Sequence, residues 1–337
     1  MSRQRTISFI VPEGIDDPGH ASGGNAYDRQ LRRGLEARGW TLRMELVADK
    51  TSASEAICRI GAGGIALVDG LIAGWVPYAI EAAAERIPVV IIAHMISATF
   101  PGARAEIVNA ESRALRAASK VIATSEWTAG ELVRRGMTTG DRLTVASPGT
   151  REASLLRGAD HRALLCVGAI APHKGQDLLL AALELVAARD WSCTLVGSPT
   201  VDPGFATHIR AVASRFGGRI RMPGIVHGAA LDRAYRRAGL LVAPSRTESF
   251  GMAVVDARGL GLPILATAVG GLPEASAGGG ALLVPPEDPR ALADALDEWF
   301  ADPTLRSRLR QQAEHGSSTA PRWADTVDRV DRVLVAA

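Results

Sequence analysis

Two acidic side chains, a glycine and a helix start stand together between Pro244 and Glu274, in PSRTESFGMAVVDARGLGLPILATAVGGLPE. Glu248 lies in a polar turn after the apolar run Leu240 to Ala243, and Asp256 follows eight residues later, inside a helix predicted to begin near Gly251. Gly251 lets a ligand approach the backbone closely. The first N–H groups of the helix, at its positive dipole end, suit a diphosphate. Carboxylates repel phosphates but accept hydrogen bonds from sugar and ribose hydroxyls. The pattern therefore points to a ligand that carries both, a nucleotide sugar. The backbone of Ser249, Phe250, Gly251 and Met252, with Gly270 and Gly271, is expected to contact its phosphates and sugar.

Further candidates lie outside this stretch. Lys174, one of only three lysines, follows a loop containing Pro172 and precedes Gly175 and a helical pattern through Leu178, Leu179, Ala182 and Leu183. A cation there reaches a phosphate. Gly23 and Gly24 stand between the first apolar run and a helical pattern, another place where backbone can approach an anion. His94 ends the apolar run Val89 to Ala93, and Gly224, Ile225 and Val226 follow the run Ile220 to Met222. Metal binding has no motif to support it: HExxH and CxxC are absent, the seven histidines are scattered, and no P-loop or nucleophile elbow occurs.

A chain of 337 residues exceeds one ordinary core, so two domains are expected. Hydrophobic residues make up 47% and aromatics 4%, so small aliphatic side chains must fill the cores. Short apolar runs at Thr6 to Val11, Thr41 to Leu46, Ile65 to Val68, Val89 to Ala93, Val121 to Ala123 and Leu143 to Ala146 alternate with helical patterns such as Gly24 to Arg38. They read as buried parallel strands of a doubly wound α/β domain over 1–150. Ser147, Pro148 and Gly149 break the pattern, and the polar stretch to about Arg162 reads as a linker. A second series, Ala163 to Val167, Cys193 to Val196, Ile220 to Met222, Leu240 to Ala243, Ile264 to Ala266 and Ala281 to Val284, forms a second such domain over 151–318. Helices are expected at Pro289 to Phe300, Leu305 to Glu314 and Trp323 to Val335.

The net charge of +2, with both signs interspersed, argues against nucleic acid as a partner. No segment approaches the roughly 18 apolar residues that span a bilayer. The apolar run near the N-terminus is too short for a signal peptide. Cys58, Cys166 and Cys193 are dispersed and odd in number, as expected of structural thiols in a reducing cytoplasm. Ala, Gly and Arg dominate, the bias of a GC-rich bacterial genome.

The Pro244 to Glu274 stretch resembles the segment of the retaining glycosyltransferases of family 4 that carries their E-x7-E motif. The agreement is at Pro244, Ser245, Glu248, Phe250, Gly251, Ala257, Gly261, Pro263, Gly270, Gly271, Pro273 and Glu274, with Asp256 in place of the second Glu. VGAIAPHKGQDLLLAAL, from Val167 to Leu183, is similar to the family's lysine segment, and Gly23, Gly24, Leu31, Leu35, Arg38 and Gly39 to its N-terminal glycine pattern. The resemblance implies the GT-B fold, two Rossmann-like domains facing across a cleft. The first would bind the acceptor and the second the donor, with a final helix, 319–337, packing back on the first.

The resemblance also implies roles. Lys174 stabilises the leaving diphosphate, Glu248 holds hydroxyls of the transferred sugar, His94 lies near that sugar, and Asp256 holds the ribose. Gly224, Ile225 and Val226 touch the base, and Gly23 and Gly24 the diphosphate. Ala169 stands where the family has a second phosphate-binding cation, an Arg, leaving Arg246 and His173 as its candidate replacements. The implied activity is retaining transfer of a hexose-type sugar from a nucleoside diphosphate sugar, a co-substrate rather than a cofactor, to a soluble small-molecule acceptor in the cytoplasm. No metal or other cofactor is expected. A nucleotide-sugar epimerase and a non-catalytic nucleotide-sugar binding protein are the alternatives, and incubation with donor alone separates the epimerase, which needs no acceptor.

Overall fold

The computed structural model of the chain describes residues 5–20, 22–150, 155, 160–188 and 190–337. Contacts divide the chain into two compact units, Met1–Gly149 with Pro321–Ala337, and Thr150–Ala320. Of the expected linker, 151–154 and 156–159 lie outside the described residues.

The first unit holds β1 (Arg5–Pro12), β2 (Trp40–Val47), β3 (Ala66–Asp69), β4 (Val89–Ala93), β5 (Lys120–Ala123) and β6 (Leu143–Val145). They form one parallel sheet in the order β2-β1-β3-β4-β5-β6. The strands read as near-continuous apolar runs because helices cover both faces, as every residue of β4 being buried illustrates. Between β1 and β3 the order changes direction. Loops leaving the two strands diverge to opposite faces there, opening a crevice at their carboxyl ends.

The helix Gly23–Ala37 is capped by Ser22, whose hydroxyl accepts from Asn25 N–H at 3.0 Å. Gly23 and Gly24 thus form the first helical turn rather than the loop before it. The terminal helix Trp323–Ala336 lies on this helix: Val327, Val330 and Leu334 share a core with Leu31 and Leu35. It is tied by Trp40 Nε1 donating to Asp331 at 2.6 Å and Thr326 Oγ1 donating to the Ser147 carbonyl at 2.6 Å.

The second unit holds β7 (Asp160–Val167), β8 (Ser192–Val196), β9 (Ile220–Gly224), β10 (Ala238–Ala243), β11 (Ile264–Thr267) and β12 (Ala281–Val284). Their order, β12-β11-β10-β7-β8-β9, is again parallel throughout and changes direction between β7 and β10. Trp191, Trp299 and, from the helix Gln176–Leu185, Leu179, Leu180 and Leu183 fill one face of this sheet. The other face is filled around Tyr235, Phe250 and Val254.

Each apolar run expected to be a strand is one, with β7 starting three residues earlier and β9 running on to Gly224. Cys166 and Cys193 are buried on adjacent strands, but Cys58 is exposed at the end of the helix Lys50–Cys58. Among the described residues no helix is long and apolar enough to cross a membrane.

Candidate functional site

Lys174 and Glu248 follow β7 and β10, the two strands between which the second sheet changes direction. Their loops are bonded to each other: the N–H groups of Arg246 and Thr247 both donate to the His173 carbonyl, at 2.9 and 3.3 Å. Gly175 permits this approach, since a Cβ there would overlap the Pro244 carbonyl. The stem of Lys174 runs beside Gly168, and its Nζ donates to Glu248 Oε2. The two side chains keep 22% and 16% of their exposure, so the pair sits at the surface of a recess rather than in the core.

That recess is walled by Cys166, Lys174, Ser245, Glu248, Gly251 and Val254 among others. Two helices start beside it, Gln176–Leu185 after Gly175 and Met252–Gly259 after Gly251, and no side chain caps either one. Their first N–H groups therefore add positive potential next to Lys174. Gly270 and Gly271 work from behind. Gly271 N–H donates to the Glu248 carbonyl at 2.9 Å, and a Cβ on Gly270, whose φ is +59°, would overlap that same carbonyl. In this structure the glycine pair shapes the Glu248 turn.

The remaining residues of the second unit divide. Ser249 and Phe250 are buried, the Phe250 ring belonging to the core, while Met252 is half-buried at the helix start. Asp256 is half-buried one turn along that helix, has an interaction of its own within the protein, and is not in the wall of the recess. Gly224, Ile225 and Val226 are half-buried at the end of β9, with Gly224 accepting from Gly197 N–H.

Neither candidate replacement for the cation missing at Ala169 is available. The Arg246 guanidinium is spent on Asp177 at 2.7 and 2.8 Å, on Glu287 at 2.7 Å and on the Pro172 carbonyl at 2.7 Å. His173 is pushed down to about 4 by burial and then by the charge of Lys174, against the pull of Glu248, so it is neutral at pH 7.

In the first unit, His94 at the end of β4 meets two acids that sequence reasoning missed. Its Nε2 is 3.0 Å from Asp28 Oδ1 and 3.8 Å from Asp69 Oδ2. Asp28 comes from the helix Gly23–Ala37 and Asp69 ends β3, and both are buried. Three separate elements supply these residues, so no spacing announced them. Gly24 lies against the imidazole, where a Cβ would sit 3.4 Å from Cδ2, and Tyr27 packs edge-on at 5.1 Å. The three side chains have the types and proximity to hold a metal ion.

Burial pushes the His94 imidazole down, but the attraction and hydrogen bond of Asp28, then Asp69, outweigh it and raise it to about 9. Burial pushes Asp69 up to about 7, with Asp28 adding to the rise and His94 opposing it. Both values are raised on folding. The stability due to His94 is therefore present below its ordinary 6.5 and lost as pH rises through about 9, and that due to Asp69 is present below 3.8 and lost through about 7.

Residues 161–302 match the family model described as glycosyl transferases group 1. Over 276 residues the chain is 30% identical to a D-inositol 3-phosphate glycosyltransferase of Corynebacterium efficiens, covering 73% of this chain and 65% of that protein. The chain spans between about half and two thirds of the curated relatives it matches, 51% for a Streptomyces scabiei protein of the same name. Among solved structures, the sucrose-phosphate synthase of Thermosynechococcus elongatus superposes with a TM-score of 0.83 at 22% identity, over 98% of both chains. HepE of Anabaena in complex with UDP and glucose superposes with 0.76 at 16% identity, over 99% of this chain and 100% of that one. The fold is thus the two-domain α/β fold of these proteins.

Replacing Gly270 by Ala forces a left-handed φ on a residue with a Cβ and drives that Cβ into the Glu248 carbonyl. It should cost more than about 3 kcal/mol. Gly217→Ala, at φ +60° with open space around it, should cost only about 1 to 2 kcal/mol. Denaturant unfolding of both variants checks this, and equal losses would mean that the Glu248 turn gives way freely.

Proposed function

We propose that this chain, whose residues 161–302 match the family model of group 1 glycosyl transferases, transfers a hexose-type sugar from a nucleoside diphosphate sugar to a small-molecule acceptor, with retention of configuration. The observation that carries this reading is the Lys174–Glu248 pair, set beside two uncapped helix starts where the second sheet changes direction. A diphosphate needs the cation and the N–H groups. A sugar hydroxyl needs the carboxylate. One ligand carrying both replaces the internal ion pair with two better-matched contacts.

In this mechanism the leaving diphosphate is stabilised by Lys174 and the helix-start N–H groups. Its oxygen takes the proton of the acceptor as the acceptor attacks from the same face, through an oxocarbenium-like state. Because Arg246 and His173 contribute no free charge, Lys174 bears this stabilisation without a second side-chain cation from either. The reading assigns no resident cofactor and no metal to the diphosphate. It places the protein in the cytoplasm, in keeping with Cys58, Cys166 and Cys193 being free thiols. The relatives named for an inositol phosphate acceptor and the neighbour bound to UDP and glucose support a small acceptor and a nucleotide sugar donor.

Lys174→Ala should lower turnover at least about 100-fold while donor binding weakens less, because the contact strengthens as charge develops on the leaving group. The assay is transfer from a panel of nucleoside diphosphate sugars, with stability measured alongside since Glu248 loses its partner. Equal losses in turnover and binding would reduce Lys174 to an anchor.

Asp256→Ala should weaken nucleoside diphosphate binding about 10- to 150-fold, the cost of losing a hydrogen bond to a charged acceptor. Asp256→Glu should be tolerated. Calorimetric titration decides, and unchanged affinity in the alanine variant would place the ribose elsewhere.

A further inference from the structure

Exposed apolar side chains gather at one place in the first unit, beside the crevice where its sheet changes direction. Leu71, Met95 and Ile107 keep 59%, 53% and 43% of their exposure. Leu71 stands in the first turn of the helix Gly70–Trp75, just past the end of β3, and Met95 just past the end of β4. The two segments touch, since a Cβ on Gly70 would sit 2.7 Å from the Ile92 carbonyl oxygen, and Leu71 N–H is fixed on Asp69 Oδ1 at 2.6 Å. Ile107 lies in the first turn of the helix Ala105–Ala117. Glu111, one turn further on the same face, accepts from Ser97 N–H at 2.9 Å and so holds the segment after Met95 against this helix. Gly74 packs on Glu111, where a Cβ would meet Cα at 3.9 Å. Both helices leave the carboxyl ends of parallel strands, so Leu71, one turn before Gly74, and Ile107, one turn before Glu111, come level with each other.

A single exposed apolar side chain is ordinary, but three from separate elements converging at the carboxyl ends of β3 and β4 form a wall where sheets of this kind take ligands. Charge selects the ligand. Across 69–78 and 94–112, the segments that build the wall, Arg104 is the one cation apart from His94, against Asp69, Glu106 and Glu111. Asp28 lies buried close by, on His94. Arg113, just beyond, is engaged on the Tyr78 ring at 4.2 Å and on Glu81 at 2.7 Å. A phosphate at this wall would therefore meet more carboxylates than free cations.

We propose that Leu71, Met95 and Ile107 receive the body of the acceptor, so that the hydroxyl to be glycosylated belongs to an uncharged molecule with an apolar aromatic or aliphatic body and not to a phosphorylated polyol. This rests on the glycosyl transfer proposed above and names its acceptor class. Covering the three side chains removes apolar surface from water, which supplies binding without a charge. The same shortage of cations disfavours an anionic lipid surface as the occupant.

The test follows methyl groups by nuclear magnetic resonance, with signals assigned through Leu71→Gln, Met95→Gln and Ile107→Gln. These positions are exposed, so the variants should fold as the wild type does. The full chain is titrated with 2-naphthol, with octyl β-glucoside below its micelle concentration, and with myo-inositol 3-phosphate. The first two should move all three methyl groups and leave those of Leu46, exposed to a similar degree on β2, in place. The inositol phosphate should move none. Leu71→Gln and Ile107→Gln should each weaken 2-naphthol binding about 10-fold. Signals unmoved by both apolar probes, or moved by the phosphate, would overturn the proposal. So would binding to phosphatidylcholine–phosphatidylglycerol vesicles, or self-association, that Leu71→Gln abolishes, since either gives the wall another occupant. Transfer to the three probes is read in parallel from a panel of donors. Glycosylation of inositol phosphate while neither apolar probe accepts sugar would overturn the proposal and leave the transfer reading standing. No transfer to any of the three from any donor would remove the transfer reading, and the acceptor assignment with it.

Discussion

The ion pair between Lys174 and Glu248 is the contact on which the chemistry proposed for the second unit turns, because each partner is made useful by what the other leaves open. Removing one partner of such a pair strands the other half-buried, at a cost of about 3 to 5 kcal/mol where burial is complete and less at 22% and 16% exposure. A ligand that offers an anion to Lys174 and a hydroxyl to Glu248 avoids that cost by supplying both substitutes at once. Phosphate alone, or sugar alone, satisfies half of the exchange. The preference proposed for a molecule with both groups rests on this electrostatic argument before any mechanism is invoked.

Much of the surrounding architecture serves to keep that pair in place. The turn bearing Glu248 is pinned from behind by Gly270 and Gly271, and from the side by two backbone bonds to the His173 carbonyl. Arg246, with its fork on Asp177, fastens the same loops. A cation that at first suggests a phosphate ligand is in fact a brace. The first unit repeats the topological theme with different chemistry. Its sheet changes direction between β1 and β3, and there the helix after β1 and the ends of β3 and β4 bring Asp28, Asp69 and His94 together.

What the sequence made legible was local. Runs such as VVIIA at Val89 to Ala93 are long enough in β-branched residues to be strands and too short for buried helices, so every strand of both sheets could be found. Lys174 and Glu248 were legible because glycines and helix starts adjoin them in the chain. The Asp28–Asp69–His94 cluster was not, since it depends on strand order, which the order of residues does not state. The engagement of Arg246 was hidden for the same reason, as Asp177 lies on the helix Gln176–Leu185 and Glu287 beyond β12. Gly270 and Gly271 were found for one reason, ligand approach, and the fold displays another, the close passage of the Glu248 carbonyl. Asp256 has the spacing of a ligand contact but stands a turn beyond the recess wall.

The exchange of the internal pair for a ligand is tested most directly by thermal unfolding of the wild-type protein with added nucleoside diphosphates, nucleoside diphosphate sugars, inorganic phosphate and free hexoses. A ligand present at about 100 times its Kd stabilises by about 2.7 kcal/mol. At least one nucleoside diphosphate and its sugar should raise the unfolding midpoint in a concentration-dependent way, while phosphate and free hexose at the same concentrations leave it unmoved. A midpoint that responds to none of the nucleotides at millimolar concentration, or that responds to free phosphate as strongly as to a nucleoside diphosphate sugar, would contradict the account.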